Sequence, residues 1–107
     1  DCCQFAGFIV EELTGKDYLA DFDYNSEKEA YRIIEANGDL RQTVSTVLGE
    51  STQDIDSLPD GSPVLVKIPD SELMGVKLGS KAVCLTLKGL ARMPREFIQA
   101  GWPICLK

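Results

Sequence analysis

The chain has 107 residues, of which 44% are hydrophobic and 26% are charged, and its formal net charge is −6. A chain of this length and composition is expected to form one globular domain around one core. No stretch approaches the roughly 20 apolar residues of a membrane-spanning helix, and the opening residues lack the pattern of a secretory signal. The excess of carboxylates argues against sequence-independent nucleic-acid binding and against an anionic membrane surface as partner.

The first residues predict an amphipathic helix. Phe5, Phe8, Ile9 and Leu13 recur at helical spacing. Gly15 follows them as a natural C-terminal stop. Cys2 is therefore expected in or just before the first turn of this helix.

Two further helices are predicted from their capping residues. Ser26 and Glu29 have the spacing of a capping box, so a second helix should begin at Glu27. Asp39 is expected to cap a third helix, which Gly49 closes.

After Gly49 the apolar residues no longer recur at helical spacing. Residues 50–62 are polar apart from Ile55 and Leu58 and are interpreted as a linker. The Gly79-Ser80 pair between two apolar runs predicts a hairpin with a two-residue loop. Strands are predicted at 63–68, 73–78 and 81–87, a short helix at 93–98, and an edge strand at 102–106. The predicted fold is α+β, one domain over 1–107 that is helical over 1–49, a linker over 50–62 and a sheet over 63–107.

The chain has four cysteines and no histidine. Without a C-x-x-C spacing or a histidine to complete a ligand set, no zinc site is predicted, and nothing in the sequence calls for another metal or a cofactor. Cys84 and Cys105 are interpreted as small buried core residues of a reduced protein.

The opening string Asp1-Cys2-Cys3-Gln4-Phe5 leads directly into the first helix. A cysteine at a helix N-terminus has its thiolate favoured by unpaired backbone N–H groups and by the helix dipole. This string resembles the D-C-S-G-F-like string of the NlpC-type cell-wall peptidases, whose papain-like layout also places helices before a hairpin-rich sheet. The resemblance implies a papain-like fold with Cys2 as nucleophile. The alternatives are that Cys2 is an ordinary helix-start cysteine, or that Cys2 and Cys3 exchange roles.

The catalytic histidine of that family opens a strand reading H-V-G-I. Here Leu73-Met74-Gly75-Val76 resembles this strand, and Leu73 occupies the histidine position. Cys84 is the nearest match to the family's third, orienting position. Because Leu73 can neither accept nor donate a proton, the resemblance implies a degenerate peptidase.

Asp60-Gly61 resembles the turn before the first sheet strand of the NlpC-type family. The Asp1-Cys2 string, the Gly75-Val76 hairpin, the Gly89-Leu90 turn and the late Trp102 make the chain similar to a divergent branch of the family found among phage tail genes, in which the histidine is often missing. This resemblance implies a structural component of a siphophage-like tail tip or baseplate. Its partners would be other tail proteins, and it would reach the virion after assembly in the host cytoplasm. Trp102 itself is interpreted as an anchor of the last strand on the core.

Two other functions stay open at this point. The chain could be an active peptidoglycan peptidase or amidase that uses Cys2 with a base supplied from outside this segment. It could also be a bacterial domain that binds peptide-like ligands in the old cleft. None of the three involves nucleic acid or a membrane as partner.

Overall fold

The structure is a computed structural model that describes residues 2–18 and 27–104, with the backbone alone for Cys2 and Glu27. Three helices precede an antiparallel sheet, so the α+β class predicted from the sequence is confirmed. No helix in the described ranges is both long and apolar enough to cross a membrane. The helices are α1 (Cys2–Thr14), α2 (Glu27–Ala36) and α3 (Leu40–Leu48).

The third helix begins and ends as its capping residues predict. Asp39 Oδ1 accepts a hydrogen bond from the backbone N–H of Gln42 at 2.8 Å. This bond satisfies one of the donors that a helix N-terminus leaves unpaired. Gly49 ends the helix at φ +86°, a backbone angle that glycine adopts without steric cost. The capping box at the second helix includes Ser26, which lies outside the described residues, and it stays a prediction.

In the part of the chain that the structure describes, five antiparallel strands form one sheet in the order β4-β3-β2-β1-β5. The Gly79-Ser80 hairpin is confirmed, but the segment after Lys88, expected as a turn alone, forms a fourth strand. In the described residues the last strand ends at Gly101, so residues 102–104 do not form part of the edge strand expected over 102–106; residues 105 and 106, with Cys105, lie outside the described residues. Pro103 explains that end, since it has no N–H to continue the ladder. The strands are β1 (Pro63–Ile68), β2 (Ser71–Leu78), β3 (Lys81–Thr86), β4 (Gly89–Met93) and β5 (Ile98–Gly101).

The sheet is buried on two faces, and the face toward the helices is called the first face. Met74 and Val76 of β2 lie on the first face, in one core cluster with Ala6 of α1. Because side chains alternate along a strand, Leu73 and Lys77 lie on the second face. The cluster on that face contains Ile55, Leu58, Val64, Val66, Ala82, Cys84 and Ile98.

The segment expected as a linker is part of the core. Ile55 opens a 3₁₀ helix over Ile55–Ser57 and is only 1% exposed, and Leu58 is 5% exposed. Both side chains cover the second face of the sheet. The two apolar residues of this otherwise polar stretch therefore indicated that it packs on the sheet. A segment that crosses a sheet face can be held there by only a few buried side chains.

The anchoring role predicted for Trp102 is confirmed, although this residue follows the last strand. Its side chain is fully buried in the first-face cluster. The indole Nε1–H donates to the Gly49 carbonyl at 3.1 Å and to Ser45 Oγ at 3.2 Å. Trp102 therefore fixes the C-terminal end of α3 to the sheet.

Candidate functional site

The candidate site lies at the N-terminal end of α1. The helix begins at Cys2, as the sequence predicts, but the side chain of Cys2 lies outside the described residues. Cys3 is partly buried and packs against the first-face cluster. The role of Cys2 as nucleophile stays a prediction.

The sheet surface opposite α1 is apolar. Met74 and Val76 of β2 are 3% and 7% exposed, and Val83 of β3 packs beside them. Ala6 and Ile9 approach this surface from α1. None of these five side chains titrates, so they provide no proton acceptor for a thiol. Glu72, an exposed residue nearer the start of β2, falls on the same face by alternation.

Leu73 and Cys84 both lie on the second face of the sheet. Leu73 packs against the second-face cluster, of which the fully buried Cys84 is a member. Gly75 is paired with Cys84, and a Cβ on Gly75 would lie 2.5 Å from the Cys84 sulfur. The structure thus brings these two predicted positions to one side of the sheet and α1 to the other.

A shift of one residue along a strand moves a side chain to the opposite face. On β2 the buried neighbour of Leu73 on the first face is Met74, whereas Glu72 on its other side is exposed. A thioether, like an isobutyl group, cannot serve as a general base near neutral pH. Whichever of Leu73 and Met74 matches the histidine of the NlpC-type strand, the position holds no titratable group.

A cavity of about 80 Å³ lies between the three helices and the first face. Cys3, Val10, Val44 and Met74 are among its lining residues, and no Asp, Glu, Lys or Arg of the described chain lines it. The hydroxyl of Thr43, also in the lining, already donates to the carbonyl of Asp39 at 2.7 Å. The cavity can accommodate apolar groups, but it offers no charge to polarise a substrate.

The charged pair nearest to the sheet core is Lys77 with Asp60. Lys77 is 8% exposed, and its Nζ lies 3.4 Å from Asp60 Oδ1. The neighbouring Gly61 packs so closely on Leu13 that a Cβ there would overlap the Leu13 side chain. Since Leu13 is about 16 Å along the helix from Cys2 at about 1.5 Å per residue, this pair belongs to the other end of α1.

The pair is a structural clip between the turn before β1 and the β2–β3 hairpin. Asp60 Oδ1 accepts a hydrogen bond from the backbone N–H of Gly79 at 2.9 Å. This bond, assisted by the ammonium of Lys77, holds the pKa of Asp60 below its ordinary value of 3.8. The sequence marked Asp60-Gly61 as a turn, but the pairing with Lys77 could not be read from it.

The clip predicts a pH-dependent stability. A depressed folded-state pKa adds stability above the unfolded pKa, and this stability is lost as pH falls through the folded value. Asp60→Asn should therefore unfold at lower urea than the wild type near pH 7, and the two midpoints should converge as pH falls below about 4. Asp70→Asn, an exposed change in the β1–β2 turn, is the control. A midpoint gap that stays constant down to about pH 3 would contradict the assignment.

The described residues contain no group of three or more His, Cys, Asp or Glu side chains that could hold a metal ion. The described part of the protein is an α+β domain whose helices pack on one face of a five-stranded antiparallel sheet. Residues 1–104 match the family model of the domain of unknown function DUF6950, and the chain belongs to this family. No curated protein and no solved structure matches the chain.

Proposed function

We propose that the chain is a non-catalytic interaction module with an NlpC-type papain-like fold, and that it serves as a component of a phage tail tip or baseplate. The layout supports the fold assignment, because a helix beginning at Cys2 packs on an antiparallel sheet that follows it in the chain. The single observation that carries the loss of catalysis is the apolar surface opposite α1, made by Met74, Val76 and Val83. The absence of histidine from the sequence agrees with it.

The chemistry of thiol peptidases explains why this surface matters. The thiolate needs a partner that takes a proton and later returns it to the leaving amine. Removal of a catalytic base typically costs about a thousandfold or more in rate. A thiol without such a partner would retain little beyond the reactivity of an ordinary cysteine.

Digestion of peptidoglycan tests this proposal. Purified wild type and Cys2→Ala should release the same background of soluble peptides from isolated cell walls. The matched variant removes only the sulfur, so any release that disappears with it would come from Cys2. Such a Cys2-dependent release would contradict the proposal.

An active peptidase or amidase is the second candidate, and the position of Cys2 at the first residue of α1 favours it. A helix N-terminus stabilises a thiolate through its unpaired N–H groups. The base would then come from a partner subunit or from residues outside this segment. Detection of the chain in purified phage particles, followed by the same digestion with intact particles, separates the two candidates: only the active enzyme would show Cys2-dependent release.

A further inference from the structure

The charges of the chain are segregated along the sequence. Five of its 11 lysines and arginines fall within residues 73–95, and none of its 17 carboxylates does. Three of these cations, Lys81, Lys88 and Arg92, belong to β3, β4 and the turn between them, at one edge of the sheet, whereas Lys77 is on the central strand β2 and Arg95 follows β4. An acidic protein thus has one basic edge.

Three of the five cations are available to a partner. Lys77 is paired with Asp60, and Arg95 lies 3.6 Å from Asp56. Lys81, Lys88 and Arg92 are exposed, and among the described residues no ion pair involves them. Lys81 and Arg92 border a shallow depression of about 240 Å³, whose other lining residues are Leu78, Gly79 and Val83.

The strand at this edge has an open side. In the described residues β4 pairs only with β3, whereas the opposite edge strand β5 exchanges two hydrogen bonds with Thr52. Leu90 of β4 is 65% exposed, and Leu87 in the preceding turn is fully exposed. An unpaired strand edge with exposed apolar side chains is a template for an added strand.

We propose that β4 accepts an extended, acidic segment of a partner protein as a sixth strand of the sheet. Leu90 and Arg92 both point to the first face, because they pair with Leu85 and Val83. The partner would therefore place an apolar side chain beside Leu90 and a carboxylate two residues away, near Arg92 and Lys81. This inference rests on the proposed function and names the kind of partner that the module binds.

Two other occupants fit the surface less well. A second copy paired β4 to β4 would bring the arginines and lysines of both edges together, and like charges across strands are destabilising. Nucleic acid requires neutralisation of many phosphates, but only three unpaired cations lie here, with leucines between them and an acidic chain around them. An acidic peptide matches both the charge and the apolar side chains.

The test is an NMR titration of the chain with the peptide Ser-Glu-Thr-Val-Thr-Glu-Ser, acetylated at its N-terminus and amidated at its C-terminus. The peptide concentration is raised to about 5 mM, because a single short strand binds weakly. Saturable shifts of amide signals in residues 87–93 and at Lys81 are expected. The same peptide with both glutamates replaced by lysine should cause none. Arg92→Glu should weaken binding at least about tenfold. Arg41→Glu, the same charge change on α3, should bind as the wild type does.

Several results would overturn the inference. These are an absence of saturable shifts, equal binding of the lysine peptide, an unchanged affinity of Arg92→Glu, concentration-dependent dimerisation through β4, and preferential binding of a single-stranded oligonucleotide to this edge. Circular dichroism shows whether each variant is folded. If the peptide fails to bind while Cys2 stays unreactive, only this inference fails. If Cys2 proves catalytic while the peptide binds, only the proposed function fails.

Discussion

Replacement of Trp102 by alanine is expected to lower the free energy of unfolding by about 3–5 kcal/mol, the usual cost of removing a fully buried aromatic side chain. The side chain is 0% exposed and joins α3 to the first-face cluster. Since small domains are stable by only about 5–15 kcal/mol, this change should leave the chain close to unfolding. Urea denaturation followed by circular dichroism measures it, because the variant lacks the only tryptophan of the chain.

Trp102→Phe separates the packing of the ring from its hydrogen bonds. Phenylalanine keeps an aromatic ring but loses the N–H that donates to Gly49 and Ser45. We expect the loss in the free energy of unfolding to be well below that of the alanine variant. Part of this loss would be the approximately 1–3 kcal/mol of an unsatisfied carbonyl. A loss of less than about 1 kcal/mol in the alanine variant would show that Trp102 does not anchor α3.

Ile55→Ala is expected to cost about 2–5 kcal/mol, the range for truncating a buried isoleucine. The segment around Ile55 is polar and resembles a linker in sequence. The cost is nevertheless large because Ile55 is 1% exposed and covers the second face of the sheet. Urea denaturation of the variant and of the wild type gives the difference in their free energies of unfolding.

Leu87→Ala is the matched control, because Leu87 is fully exposed in the turn before β4. A surface change of this kind should stay within about 0.5 kcal/mol of the wild type. If Ile55→Ala were equally mild, Ile55 would not anchor residues 50–62 on the sheet, and the expectation of a linker would stand.

Local signals predicted the helices well because their ends depend on neighbouring residues. The cap at Asp39 and the stop at Gly49 involve bonds within a few positions of the chain. The hairpin at Gly79-Ser80 was predictable for the same reason. Strand β4 was missed because Gly-Leu-Ala-Arg-Met alternates too weakly to be distinguished from a turn, and only its pairing with β3 defines it.

The candidate site was predictable in part. The sequence placed Cys2 at the start of α1, since an amphipathic stripe and a stop glycine define that helix. It could not assign faces to β2, because both faces of this strand are covered and Leu73, Met74 and Val76 are all apolar. A strand buried on both sides loses the alternation of polar and apolar residues that would fix its orientation.

The rate of Cys2 alkylation by iodoacetamide as a function of pH, with Cys2→Ala as the blank, tests the central claim most directly. If no base acts on Cys2, the rate should be low near about pH 6 and should still rise toward about pH 8.5, the reference pKa of a cysteine thiol. A rate that has already reached its plateau well below neutral pH would contradict the non-catalytic assignment. It would mean that Cys2 is a stabilised thiolate of the kind that thiol peptidases use.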